Sequence, residues 1–257
     1  MLLAIDCGNT NVVFALYDGE RQHATWRTAT DTKRTADEYA VWLTHLMKLK
    51  GLRPVDVHAA IIASVVPGAT FNLKRLTKDH FGCEPMIVGH PEVELGVKAL
   101  VDRPEEVGAD RLVNTAAAAS AHQTPLIVID FGTATTFDVV DADGNYRGGV
   151  IAPGINLSLE ALQMAASKLP RVEIVQPGCV IGRNTIDCMQ SGIFWGYIGL
   201  IEGLIARIKA EWGEPMKVVA TGGLAVLFAK ATSAIDAIDR DLTLRGLVLI
   251  HQRNAQR

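Results

Sequence analysis

Two short stretches of the chain place an aspartate two residues before a glycine at the end of an apolar run. They are Asp6-Cys7-Gly8-Asn9-Thr10 and Asp130-Phe131-Gly132-Thr133-Ala134. A glycine at a strand-to-strand turn lets backbone approach a ligand closely and leaves N–H groups to donate to phosphate oxygens. Asn9, Thr10 and Asn11 add side-chain donors at the first corner. A carboxylate at the strand end can hold magnesium through its waters. Either aspartate alone could simply form an Asx-turn. A third element, Thr221-Gly222-Gly223, puts two glycines between a strand and a helix start. It either admits a nucleoside against bare backbone or is a tight junction. Gly148-Gly149 and Pro153-Gly154 carry the same ambiguity. Gly108-Ala109-Asp110-Arg111 sets a carboxylate beside a guanidinium. From the residues alone that pair reads as an acidic helix start, Asp110 stabilising the first turn of an alanine-rich helix and Arg111 solvated. No GxxxxGK[ST] loop occurs.

The elements that must position these residues repeat. Apolar runs at Leu2–Ile5 and Leu126–Ile129 precede the two corners. Val12–Tyr17 and Thr136–Val140 follow them, each ending in a turn, Asp18-Gly19 and Asp143-Gly144. Each stretch predicts strand, corner, strand, turn and third strand. The two copies lie 124 residues apart, nearly half of the 257-residue chain. Helical spacing follows at 35–49 and 69–80, with strands at 58–63 and 85–88. In the second half, helices are expected at 156–166, 185–211, 224–230 and 241–252, with a strand at 217–220. This pattern implies two α/β domains with a nucleotide cleft between them, cut near residue 115 into 1–115 and 116–257. The alanine-rich 116–121 stretch would be a helical crossover. The long segments 89–107 and 169–183 show neither period, and loops of that length are often functional.

Composition narrows the function classes. A net charge of −3, with no basic run, argues against nucleic-acid or anionic-membrane binding. The N-terminus shows no signal-peptide pattern, and no run of the apolar length needed to span a membrane is expected. Cys7, Cys83, Cys179 and Cys188 form no CxxC pair, which suits free thiols in a reducing, cytoplasmic setting. The histidines and tryptophans suggest packing or solvated positions, and no Ser-His-Asp signature is present.

The two corners and the Thr221-Gly222-Gly223 turn resemble the nucleotide-binding elements of the acetate kinase, sugar kinase, Hsp70 and actin superfamily. Taken with Gly108-Ala109-Asp110-Arg111, Gly148–Gly154, Leu169-Pro170 and Ile181–Thr185, the set is similar to the signature of type III pantothenate kinases, in order from residue 1 to about 223. The resemblance implies duplicated actin/hexokinase-like (ribonuclease H-like) domains. It implies phosphorylation of pantothenate to 4′-phosphopantothenate by ATP, the first step of coenzyme A biosynthesis. Asp110 would be the general base. Asp6, Cys7, Gly8, Asn9, Thr10, Asn11, Val12, Val13 and Thr133 would bind ATP, with Asp6 also holding Mg2+ through water. Gly108, Ala109, Asp110, Arg111 and Thr185 would bind pantothenate, and Asp130 a monovalent cation, K+ or NH4+. One departure stands out: Val101 occupies a place where family members commonly carry tyrosine.

Assembly has its own signal. Gly192, Gly196, Gly199 and Gly203 share one helix face. Each glycine costs a helix about 1 kcal/mol relative to alanine, so the stripe needs a close partner, inside the chain or across a subunit boundary. Resemblance to dimeric kinases favours a homodimer. Two alternatives remain at this stage, a phosphohydrolase of the same superfamily and a regulatory homologue similar to the Bvg accessory factor.

Overall fold

A computed structural model describes residues 1–166 and 169–255. The chain forms two compact units, each with its own five-stranded sheet. Unit 1 comprises Met1–Ala121, Gly144–Tyr146 and Asp241–Arg257; unit 2 comprises His122–Asp143 and Arg147–Arg240. This division differs from a single cut at residue 115 in two ways. The chain changes unit after Ala121, and both the tip of the second hairpin and the last helix return to unit 1.

In unit 1, β1 (Leu2–Cys7), β2 (Asn11–Asp18) and β3 (Arg21–Ala29) make an antiparallel meander. β4 (Ala59–Ser64) and β5 (Pro85–Ile87) extend it in parallel, giving the order β3-β2-β1-β4-β5. β1 is central and its Leu2 to Ile5 are all buried, which is why it reads as a continuous apolar run and not an alternating one. Helix α1 (Ala36–Leu49) starts at a capping box. The Glu38 N–H donates to Thr35 Oγ1 at 3.3 Å, and the Thr35 N–H donates to Glu38 Oε2 at 2.8 Å. With α2 (Pro67–Arg75) it covers one sheet face, packing Tyr39, Leu43 and Leu73 on Ile5, Phe14 and Ile62. The other face is covered by α3 (Ala109–Ala121) and α7 (Leu242–Ala255), whose Val113 and Leu247 pack on Ala4 and Ile61. α7 docks here through its apolar stripe, Leu244, Leu247 and Val248, which is buried in this cluster.

Unit 2 repeats the plan. β6 (Leu126–Phe131), β7 (Ala134–Val140), β8 (Tyr146–Pro153), β9 (Lys217–Gly222) and β10 (Ala237–Ile238) give the order β10-β9-β6-β7-β8. This is strand for strand the order of unit 1, so the duplication expected from the sequence holds at the level of topology. Helices α4 (Ile155–Ala165), α5 (Thr185–Trp212) and α6 (Ala225–Ala229) complete the unit. Phe194, Ile201 and Ile205 of α5 pack with Phe228 on Ile127, Ile129 and Phe137. α5 corrects one expectation: it is long and apolar enough to cross a membrane by length and composition. Its Phe194, Ile198, Ile201 and Ile205 are instead spent on the sheet.

Candidate active site

Strand register builds the first corner. Asp6 lies opposite Val13 and Cys7 opposite Val12, which leaves Gly8 to Asn11 as the turn. The Gly8 N–H closes it by donating to the Asn11 carbonyl at 3.0 Å. Cys7 and Val12 are fully buried core side chains, so of these two only the backbone can meet a nucleotide. Asn9 and Thr10 are exposed, and Asp6, Gly8, Asn11 and Val13 half-buried. Thr30, just past β3, braces the turn twice. Its Oγ1 donates to the Gly8 carbonyl at 2.6 Å and its N–H to the Thr10 carbonyl at 2.9 Å. Nothing in the sequence pattern singles out Thr30, because the contact spans 22 residues.

Asp110 sits in the first turn of α3, where the helix dipole favours negative charge. The Arg111 N–H donates to Asp110 Oδ1 at 2.8 Å. Burial pushes the Asp110 carboxyl above its ordinary value, with the Arg111 N–H and the Arg111 charge pulling the other way. A raised carboxylate is a better proton acceptor than an exposed one. Val65 connects this turn to the first corner. A Cβ at Gly108 would touch Val65 Cγ1 at 3.5 Å, and the Val65 N–H donates to the Cys7 carbonyl at 3.1 Å. The Arg111 guanidinium carbon lies 5.4 Å from the centre of the Tyr146 ring. Unit 1 therefore gathers a phosphate-type turn, a desolvated carboxylate and a stacked guanidinium.

The second corner has the same design with one residue fewer. Asp130 pairs with Thr136 and Phe131 with Thr135, and the Gly132 N–H donates to the Ala134 carbonyl at 3.1 Å. Thr133 is exposed at its tip. Two glycines press on this corner from neighbouring segments. The Gly154 N–H donates to the Thr133 carbonyl at 3.1 Å, and a Cβ there would collide with the carbonyls of Thr133 and Gly132. Gly222, at φ +91°, would put a Cβ 2.6 Å from the Phe131 carbonyl and 2.7 Å from Asp130 Oδ1. Gly223, in contrast, has open space around it. In Thr221-Gly222-Gly223 the first glycine thus serves strand packing and the second leaves the approach open.

Thr185 is exposed at the start of α5, behind the N-cap Asn184, which accepts from the Asp187 N–H at 2.9 Å. It borders a cavity of about 550 Å3 lined also by Leu162, Leu169, Cys188, Met189 and Ile193. The structure brings Asp6–Val13 together with Gly108–Arg111 in unit 1, and Asp130 with Thr133 in unit 2. Thr185 stands in unit 2 on a separate element. Among the described residues no three His, Cys, Asp or Glu side chains gather into a metal cage. Mg2+ usually binds through one or two carboxylates plus phosphates and waters, so single aspartates at the corners fit it.

The sequence profile of the family described as type III pantothenate kinase matches residues 2–207. Relatives bearing that name are 66% identical in Paramagnetospirillum magneticum (99% of this chain, 98% of the relative) and 63% identical in Rhodospirillum rubrum (99% of each). The chain belongs to the type III pantothenate kinase family. Solved structures extend the likeness to the fold. A Campylobacter jejuni protein of the Baf family superposes with a TM-score of 0.63 at 19% identity, covering 99% of this chain and 100% of its own. The ROK hexokinase of Thermus thermophilus superposes at 0.51 and 15%, covering 100% and 99%. The chain thus shares the duplicated sugar-kinase architecture that its two sheets display.

Proposed function

We propose that the chain transfers the γ-phosphoryl group of ATP to the primary hydroxyl of pantothenate, with Asp110 accepting the hydroxyl proton and Arg111 gripping the substrate carboxylate. The observation that carries this reading is the buried, raised Asp110 carboxyl, linked through Val65 to the Asp6–Asn11 turn. Phosphoryl transfer depends mostly on positioning and charge neutralisation, so a carboxylate within reach of the attacking hydroxyl is sufficient as base. The turn from Gly8 to Asn11 offers backbone and side-chain donors to the polyphosphate, and Thr133 a hydroxyl from the second corner. Gly108 and Ala109 complete the substrate grip beside Arg111, and Thr185 bonds the pantothenate from α5. The family uses ATP and a divalent metal; here Asp6 would hold Mg2+ through water, and Asp130 a potassium or ammonium ion. Bound metal supplies positive charge to the transferring phosphoryl group. A regulatory role without catalysis is disfavoured by the intact Asp6, Asp110 and Asp130. The test is the initial rate of 4′-phosphopantothenate formation by the purified chain with MgATP, in potassium, ammonium and sodium salts. Turnover in the first two and little in sodium is expected. Equal rates in all three remove the cation role of Asp130, and no product in any removes the reading.

The assembly expected is a homodimer through α5. Gly192, Gly196 and Gly199 have nothing within 4 Å of where a side chain would stand. Large apolar side chains of the same unit lie exposed, Ile181 at 84%, Met164 at 79% and Ile186 at 48%. Isologous contact across a two-fold axis would cover both. Gly196→Leu should then weaken the dimer by at least about tenfold in dissociation constant, read by light scattering or sedimentation. A wild-type chain that is monomeric at micromolar concentration and fully active would contradict the dimer.

A further inference from the structure

The tip of the second hairpin lies in unit 1, and its last residue underlies the guanidinium of the candidate substrate grip. Tyr146 is 2% exposed, and the Arg111 guanidinium carbon stands 5.4 Å from its ring centre. Backbone bonds hold the tyrosine in place. The Tyr146 N–H donates to the Lys98 carbonyl at 2.9 Å, and its carbonyl accepts from the Leu100 N–H at 2.8 Å. Next to it, the Lys98 N–H donates to Asn145 Oδ1 at 3.1 Å. Asn145 and Tyr146 are therefore tied to 98–100, the segment that leads into Gly108-Ala109-Asp110-Arg111.

An aromatic face under a guanidinium attracts it through the ring quadrupole without consuming its in-plane N–H groups. Those N–H groups are the ones a carboxylate takes as a pair. The ring also removes freedom from a long side chain that would otherwise lose it on binding. We propose that Tyr146 is a positioning residue: it fixes the plane of Arg111 and thereby sets the preference of the site for substrates that carry a carboxylate. The proposal rests on Arg111 being the carboxylate grip. Tyr146 itself touches no reacting atom.

The test compares pantothenate with pantothenol, the same molecule ending in an alcohol. Tyr146→Leu should raise the KM for pantothenate by about 5- to 30-fold, the effect of losing one cation–π contact in a desolvated site. The KM or Ki for pantothenol and the KM for ATP should move by less than about twofold, and kcat should fall less than KM rises. Tyr146→Phe, which keeps the ring, should restore the pantothenate KM to within about threefold of wild type. Melting temperature is followed in parallel. If Tyr146→Leu melts early, Tyr146→Met, which fills similar space without a π face, must give the same split between the two ligands. Equal losses for pantothenate and pantothenol, or an unchanged pantothenate KM in a folded variant, overturn the proposal. Arg111→Ala separates the two layers. If Arg111→Ala raises the pantothenate KM and Tyr146→Leu does not, only the positioning role fails. If Arg111→Ala leaves that KM unchanged, the carboxylate grip fails and the positioning role with it.

Discussion

Asp110→Asn lowers kcat by about 10²- to 10⁴-fold, the span that a positioned general base contributes, while its melting temperature at neutral pH stays at or above that of the unsubstituted chain. The asparagine keeps an oxygen for the Arg111 N–H that donates to Oδ1 at 2.8 Å, so the first turn of α3 survives. It removes the carboxylate that burial disfavours. The sign of the stability effect follows from the raised carboxyl. A group that binds its proton more tightly folded than unfolded penalises the fold above its folded pKa, and the penalty vanishes below the unfolded value. Neutral pH lies in the penalised range, so deleting the charge relieves the fold as it slows turnover. The same shift moves the acidic limb of kcat/KM to a pH above the ordinary carboxylate value near 3.9. A folded Asp110→Asn variant with near-normal kcat would contradict the assignment of the base.

Gly222→Ala should strongly destabilise the second corner, because strain and steric collision act at the same position. The position is at φ +91°, which costs a side-chain-bearing residue about 1–3 kcal/mol. The new Cβ would also stand 2.6 Å from the Phe131 carbonyl and 2.7 Å from the Phe131 nitrogen, which are backbone atoms of the central strand and cannot step aside. A combined cost of about 3 kcal/mol predicts a melting temperature lower by about 6–12 °C for a chain of this size. Because Asp130 Oδ1 lies 2.7 Å from the same point, the KM for ATP should rise together with the loss of stability. Gly223→Ala meets nothing within 4 Å and should leave the melting temperature within about 2 °C. Equal melting of the two variants would mean that the β6–β9 junction is more pliable than its ladder indicates.

Much of this organisation was legible in the residues because it is local. The Asp-x-Gly corners and the apolar runs beside them are set by neighbours within a few positions, and they appear where the sequence puts them. The two sheets then share one strand order, as the repeat implies. What escaped is tertiary. β10 has only two residues and exists by pairing with β9, so no periodicity marks it. α7 joins unit 1 because its apolar stripe fits the face beside α3, and chain order gives no hint of that return. Asp143-Gly144 reads as an ordinary hairpin turn, yet the tip it begins delivers Tyr146 to Arg111. Cys7 and Val12 lie in the nucleotide-type turn by sequence, but their side chains belong to the core. Whether Gly222 serves a ligand or a strand is decided by a distance across the sheet, which no single stretch of sequence contains.

Transfer of label from γ-labelled ATP tests the central claim most directly. The purified chain is incubated with MgATP labelled in the γ-phosphoryl group, potassium and pantothenate, and the products are separated and counted. The account predicts that the label appears on the primary hydroxyl of pantothenate, with one ADP formed per 4′-phosphopantothenate. Label released as inorganic phosphate with no phosphorylated pantothenate would make the protein a hydrolase and contradict the account.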